Sequence, residues 1–458
     1  MKGRLLKAQA KKKNFFKRME KVRQINDSDG ELSSDDEEEV STDFIGKLLN
    51  DKYLVIKYLS RGTFCKVWMV YDLVENKYYA LKVQEDKDPE TLLNEIKMLN
   101  IVHREGPEEG VCYMSDYFDI KLNGFNKKAI LLELLGNSLG YLTYEENDNL
   151  IDLNVLKKIT KSLLESINIL HKKNMVHCDL KLDNVLFCEF NSNIKLLIKN
   201  INKLDLHNSY NTILQQTLNG KLIGLTKSKR KVAKKKIKKR IIKELIKENT
   251  SKIVELNNNN ICMKLNNIQE INIEDLENSK EHNIEEDKNK YLLDINLNNP
   301  KLKLLDLGNT EIISNKNDEE IYTRSYRPPE NIINGTFDTK SDIWVIGCML
   351  YELFTGDVIF NFENCNKVDI DKDRFHLAQM YSLLGKMPKE MSLDCEYSED
   401  YFDMKGRILR NKNIEMRDLK DELTNRIEFE EEELDLTFNF LLKMLEYNPR
   451  VRLSAEDL

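Results

Sequence analysis

The stretch HCDLKLDNVLF, residues 177–187, decides how this chain is read. One His, two Asp, one Lys and one Asn fall within His177–Asn184, with Met175–Val176 before them and Val185–Phe187 after. Apolar flanks put this polar cluster where the chain enters and leaves a core, so it reads as a reactive loop. Cys178, in second place, needs its own reason. Upstream, NVLKKITKSLLESINILHKKN (154–174) has the 3.6-residue apolar spacing of an amphipathic helix that delivers the chain to His177.

Further upstream the period changes to that of strands. YLVIKYLS (53–60), KVWMVYDL (66–73) and YYALKVQ (78–84) are rich in β-branched and aromatic residues. Turn signals at Arg61–Gly62 and Glu75–Asn76 separate them. DPETLLNEIKMLNIV (88–102) predicts a helix with Asp88 as cap and Pro89 in its first turn. Val111–Phe118 and Ala129–Leu135 predict two more strands. The class is therefore α+β, a small antiparallel sheet with one helix followed by a mainly helical part.

Composition is biased in blocks. Residues 1–25 hold ten Lys/Arg and one acid, and residues 27–39 hold eight acids and no base, so the net charge of −7 says little about partners. Neither block buries enough apolar surface to offset chain entropy, and residues 1–43 read as a disordered tail. Ser33 and Ser34, set in SSDDEEE, would suit an acid-directed kinase; a purely solvating tail is the plainer reading. Residues 191–299, rich in Asn, Lys, Ile and Glu, interrupt the patterned sequence and read as a low-complexity inserted spacer with a helix at Lys238–Leu256. Within them KSKRKVAKKKIKKR (227–240) has ten basic residues in fourteen. That run is a nuclear-import or acid-binding patch, or a solvated helix face. The patterned regions are then 44–190 and 300–458. Eight scattered cysteines without a CxxC pair fit a reducing compartment rather than a disulfide framework. No apolar run is long enough to span a bilayer and the basic start lacks a signal-peptide core, so a soluble, intracellular protein is expected, with no membrane partner.

Phosphoryl transfer needs positioning and charge neutralisation, and its parts occur here in order. LSRGTFCKV (59–67) joins two strands and would cover phosphates through Leu59, Gly62 and Val67; of three expected glycines only Gly62 is present. Taken alone it is an ordinary hairpin. Lys82 of YALKV would meet the α- and β-phosphates, and Glu95, thirteen residues on, is its natural partner. In the 177–187 loop Asp179 would orient the substrate hydroxyl, Lys181 would neutralise the transferring γ-phosphate, and Asn184 would hold Mg²⁺. Asp306 of LLDLGNT is the second metal ligand. Adenine would lie against Glu133–Leu135, with Leu132 behind it. Glu330 of TRSYRPPE (323–330) would pair with Arg452 of NPRVR, and Asp342 would brace the loop backbone.

From Lys47 to its last residue, the spacer aside, the chain resembles the eukaryotic protein kinases, and among them the SR-protein kinases of the CMGC group. The features that go beyond the general pattern are IGKLLNDKYLVIKYL, DLGN in place of Asp-Phe-Gly, the charged spacer before that motif, LLGKMP and YFDMKGRILR. The resemblance implies a bilobal kinase fold, ATP and Mg²⁺ as cofactors, and serine/threonine specificity, since Lys181 is the choice of those kinases. It implies Arg-Ser-rich protein substrates, a monomer with no direct need of nucleic acid, and a cytoplasmic and nuclear distribution. Most kinases carry Arg before the catalytic Asp to read a phosphate on the activation segment; SR-protein kinases carry a small residue there, as Cys178 does. Activity without that phosphate is therefore expected.

The chain departs from the pattern at Ser60, where a loop glycine is usual, and at Leu182, where proline is usual. FHLAQMYSLLG presents Phe375 and Ser382 where docking carboxylates would stand, with acids instead at Asp369, Asp371 and Asp373 and in EFEEEELD (428–435). HLAQMYSLLG is also similar to the LAMMER kinases, the alternative within the same fold. A pseudokinase scaffold is the alternative of another class, and nucleic-acid binding through 227–240 a third.

Overall fold

In the computed structural model the described residues are 44–62, 65–85, 90–122, 125–144, 151–222, 226–269, 297–313, 322–335, 338–362, 371–409, 414–427 and 429–458. The tail with Ser33 and Ser34, the helix cap at Asp88–Pro89, and Asp369 lie outside them.

The strand-forming runs of the first part pair as successive antiparallel hairpins: β1 (Leu48–Leu49), β2 (Tyr53–Arg61), β3 (Cys65–Asp72), β4 (Lys77–Gln84), β5 (Met114–Leu122) and β6 (Phe125–Glu133). They lie in the order β1-β2-β3-β4-β6-β5. At the β3–β4 turn the Asp72 carboxylate accepts from the backbone N–H of Val74 and Glu75, at 2.9 and 3.2 Å. Asn76 takes the left-handed conformation the turn requires, with φ 56°. Alternation gives the sheet two apolar faces. One carries Val55, Trp68, Val70, Leu81 and Leu131. The other carries Leu54, Ile56, Met69 and Tyr71 at one end, and Ile130 and Leu132 at the other, where helix α1 (Glu90–Val102) packs through Leu92, Ile96 and Leu99.

The second part is mainly helical. Helix α2 (Leu153–His171) starts at Asp152, whose carboxylate accepts from the N–H groups of Asn154 and Val155. Two short antiparallel pairs bracket the 177–184 loop: β7 (Met175–Val176) with β10 (Glu311–Ile312), and β8 (Val185–Phe187) with β9 (Leu302–Leu304). Helix α6 (Thr339–Thr355) is apolar around most of its circumference and is almost wholly buried, the centre of this part. Helices α7 (Lys372–Leu384) and α8 (Glu431–Met444) complete it. The small curled sheet followed by a helical body is the two-lobed arrangement that the sequence implies. The fifth strand begins at Met114 rather than Val111, because Val111 instead bridges Leu304. The six cysteines Cys65, Cys112, Cys178, Cys188, Cys348 and Cys395 are free thiols. Among the described residues no helix is long and apolar enough to cross a membrane.

Residues 191–299 differ from a bare spacer. Three helices form there: α3 (Ser192–Asn202), α4 (Leu206–Lys221) and α5 (Lys227–Gln269), the last containing the helix expected at Lys238–Leu256. Ile194, Leu197 and Ile201 of α3, Tyr210 of α4, and Ile241, Leu245 and Ile253 of α5 share one apolar cluster with Leu54, Ile56, Met69 and Tyr71 of the sheet. Polar ties add to it: Tyr78 donates to Asn202 at 2.7 Å, and His207 Nδ1 meets the Leu73 carbonyl at 2.8 Å. Each apolar side chain recurs at three- or four-residue spacing among Asn and Lys, so average composition conceals a helical face. Truncating Leu197 or Ile253, both fully buried, to Ala is expected to cost about 2–4 kcal/mol of folding free energy. Urea unfolding of the full chain measures this; a segment acting only as a tether would leave the midpoint unchanged.

Candidate functional site

The loop between β7 and β8 is held from within and from behind. His177 Nε2 donates to the Leu305 carbonyl at 2.9 Å, while its Nδ1 accepts from the Asp179 N–H at 3.2 Å. Asp179 is the focus: Lys181 Nζ lies 3.2 Å from its carboxylate, and Asn184 Nδ2 donates to its backbone carbonyl at 2.8 Å. Thr323 Oγ1 donates to its other carboxylate oxygen at 3.1 Å. Thr323 is a site residue that the sequence reading did not single out; its place at the head of TRSYRPPE was the available signal. Behind the loop, Asp342 is fully buried near the start of α6. It accepts from the N–H groups of His177 and Cys178, at 2.9 and 3.4 Å, and from Tyr322 Oη at 3.3 Å, with His171 Nε2 at 3.0 Å.

Between sheet and helical body, Lys82 Nζ stands 2.8 Å from both Glu95 and Asp306. Burial pulls the Lys82 pKa down, but the two carboxylates outweigh it and hold the ammonium well above its ordinary value. For Asp306, burial raises the pKa and Lys82, followed by His177 and Lys181, overcomes it, so the carboxyl sits below its usual range. Asn94 of α1 donates to the carbonyls of Gly308 and Thr310 at 2.8 and 3.1 Å, tying the helix that carries Glu95 to the segment that carries Asp306. A side chain at 308 would place its Cβ 2.5 Å from Thr91 Cγ2, so this contact requires glycine.

Three non-glycine residues in the left-handed region converge here: Cys178 (φ 66°), Asp306 (φ 60°) and Tyr322 (φ 72°). Such strain is held only where surrounding bonds over-determine the backbone. Here the Tyr322 N–H donates to the Cys178 carbonyl at 2.9 Å. The Cys178 side chain is fully buried, and burial pushes its thiol well above the ordinary range, which excludes it as a nucleophile. Beyond Tyr322 the segment is anchored by Arg324 to Asp373, by Tyr326 to Glu352, and by Glu330 to Arg452 at 2.7 and 2.9 Å.

The remaining sequence-predicted residues fall as follows. Gly62 turns β2 into β3, its N–H donating to the Cys65 carbonyl at 2.8 Å. Leu59 sits in an irregularity of β2, and Val67 pairs in register with Lys82. The Glu133 side chain is engaged locally, accepting from the Tyr113 N–H at 2.7 Å and pairing with Lys303. The Glu133 backbone N–H donates to the Tyr113 carbonyl at 2.9 Å. Leu135 is buried in the main core beside it. On α7, Phe375 packs on Phe362 and the Ser382 hydroxyl donates to the Glu415 carbonyl. The acids nearby serve internal cations: Asp371 caps α7 and pairs with Arg374, and Asp373 pairs with Arg324.

The donor set suits a hard divalent cation. With Asn184 Nδ2 directed at Asp179, its amide oxygen is left for a metal, and the Asp306 side chain is 38% exposed. Two such oxygens suit Mg²⁺, which takes one or two protein oxygens and draws its other ligands from phosphates and water.

One titration is specific to this site. Burial pushes the Glu352 carboxyl up to about 7 from its ordinary value of 4.5, with Asp183 adding to the rise and the Tyr326 hydroxyl bond opposing it. A raised carboxyl pKa means stability is lost as pH climbs from the unfolded value through the folded one. Relative to Glu352→Gln, the native protein is expected to lose on the order of 3 kcal/mol between pH 4.5 and 7. Urea midpoints across that range measure it, and parallel profiles would refute the assignment.

Comparison with known proteins agrees with this geometry. Residues 53–197 and 280–458 match the protein kinase domain family. Similar proteins include the protein kinase dsk1 of Schizosaccharomyces pombe, 26% identical across 88% of this chain and 79% of that one. SRSF protein kinase 3 of Mus musculus is 26% identical across 93% and 91%. The serine/threonine-protein kinase SRPK of Physarum polycephalum is 27% identical across 97% and 96%. Membership of the family implies ATP as the phosphoryl donor, typically with Mg²⁺. The chain belongs to the protein kinase family, with its similarity running to serine/threonine kinases of the SR-protein type.

Proposed function

We propose that this kinase transfers the γ-phosphate of ATP to serines in Arg-Ser-rich proteins. The observation that carries the reading is the likeness, over 93% and 97% of the chain, to kinases named SRSF protein kinase 3 and SRPK, together with a loop in which Lys181 and Asn184 converge on Asp179. The names of the SRSF and SRPK relatives support the same substrate class.

In this reading Asp179 orients the serine hydroxyl, held in place by Thr323, while Lys181 neutralises the transferring phosphoryl group. Asn184 and Asp306 hold Mg²⁺, and Lys82, fixed by Glu95, meets the α- and β-phosphates. Leu59, Gly62 and Val67 cover the nucleotide, and the backbone of Glu133–Leu135 receives its adenine. A distribution between cytoplasm and nucleus goes with such substrates.

The test is transfer from ATP to an Arg-Ser repeat peptide and to a Ser-Pro-rich peptide. The Arg-Ser peptide is expected to lead by at least about tenfold in kcat/KM, the worth of one charge-assisted hydrogen bond. Asp179→Ala should lower the rate by about 10²–10⁴-fold. Transfer to the Ser-Pro peptide alone would discard the specificity, and transfer to neither would favour a scaffold.

The activation segment is also proposed to work without a phosphate. Among the described residues its anchors run to Cys178, Asp179, Asp373 and Glu352, and none of these contacts calls for a phosphoryl group. Phosphatase-treated protein should retain its full rate; loss of activity restored by a second kinase would overturn this.

A further inference from the structure

Helix α5 carries ten Lys/Arg and no acid over residues 227–240, and all ten are exposed. Like charges recur four residues apart, as in Lys227–Lys231, Lys231–Lys235 and Lys235–Lys239, where helical neighbours repel. They also crowd the positive end of the helix dipole. The helix tolerates this because its other half, Ile241–Ile253, is buried against the sheet. Two carboxylates meet the basic stretch among the described residues: Asp51, which pairs with Lys239 and, at 3.3 Å, with Lys243, and Glu244, 3.6 Å from Arg240. Lys236, Lys239, Arg240, Lys243 and Lys247, with Glu244, line an open surface depression.

The complementary charge is on the same chain. Asp27–Glu39 holds eight acids and no base and ends five residues before Phe44, the first described residue. That entry point already lies against α5. Thr250 Oγ1 donates to the Gly46 carbonyl at 3.5 Å, and a Cβ at Gly46 would fall 2.9 Å from Thr250 Cγ2. Five residues further on, Asp51 pairs with Lys239. Lys234–Lys239 lie about 16–24 Å from Thr250 along the axis, at ~1.5 Å per residue. Residues 33–39 can extend up to about 17–36 Å from Phe44, at ~3.3 Å per residue.

We propose that the acidic segment Asp27–Glu39 docks in cis on the exposed basic face of α5, extending the contact that Asp51 begins. A short tether gives the segment an effective concentration of about millimolar, so a free polyanion such as RNA must compete with it. A phosphate on Ser33 or Ser34 would add roughly 1.5–2 negative charges to the docked segment and tighten it. This inference stands independently of the substrate reading.

Two measurements on the full chain test it. Zero-length carbodiimide coupling in dilute solution, mapped by mass spectrometry, should join Asp35–Glu39 to Lys234–Lys239 within one chain and lose those links at high salt. Fluorescent poly(U) RNA should bind about tenfold more tightly once the eight acids are changed to Asn and Gln. Adding Lys234→Gln, Lys235→Gln, Lys236→Gln and Lys238→Gln should abolish that gain, and all these lysines are exposed, so the fold should survive. Equal RNA affinity with and without the acids would show the helix open to external polyanions and overturn the proposal. So would links that form only between chains, or no links to α5.

Discussion

Asp342 is an ionisable group with no solvent exposure, and the catalytic geometry hangs from it. A carboxylate taken out of water is tolerated only when its oxygens are satisfied. Here the donors come from the end of α2, from the loop after β7 and from Tyr322 of the activation segment. Because these segments are far apart in sequence, satisfying one charge fixes three pieces of chain against each other. The fixed backbone then holds Cys178 and Tyr322 in left-handed conformations that each cost of order 1–3 kcal/mol and would relax if the anchor were lost. Asp179 gains its orientation from this frame through His177 on one side and Thr323 on the other.

The Lys82 cluster is the second constraint, and its charge count is uneven. One ammonium faces two carboxylates, and burial pushes one of them, Glu95, toward its neutral form. A divalent cation beside Asp306 would add positive charge there, and phosphate oxygens would then take up the surplus. Asn94 and Gly308 keep α1 close enough that the cluster forms before any ligand arrives. Pre-formed charge of this kind avoids reorganisation during the reaction.

Much of this was legible in the sequence because the parts are local. Asp179, Lys181 and Asn184 lie within six residues, and Lys82 and Glu95 are linked by strand and helix periods that show directly. Asp342 and the Glu330–Arg452 pair were anticipated from the likeness of KSDIWVIGCMLYELFTG, TRSYRPPE and NPRVR to kinase segments. Thr323 and Glu352 were not legible, since their importance comes from what folds against them. The packing of the spacer was hidden for a different reason. Ile194, Leu197, Ile201, Ile241, Leu245 and Ile253 keep helical spacing inside a composition dominated by Asn and Lys, and averages over that composition hide a narrow apolar stripe. On α7, the acids could be counted in advance, but their engagement by Arg324 and Arg374 is a tertiary fact.

The packing of that stripe changes what the insertion can do. Its helices cover Leu54, Ile56, Met69 and Tyr71 of the sheet, and Leu59 and Ala80 pack against the same cluster, which includes Leu134 beside the predicted adenine contact. Interiors are close-packed and pass displacement on rather than absorbing it. The insertion is therefore packed onto the sheet beside the expected nucleotide site as well as being a connection between two parts of the chain. Whatever loosens its hold on Leu54, Ile56 and Met69 will be felt first at the strands that shape that site.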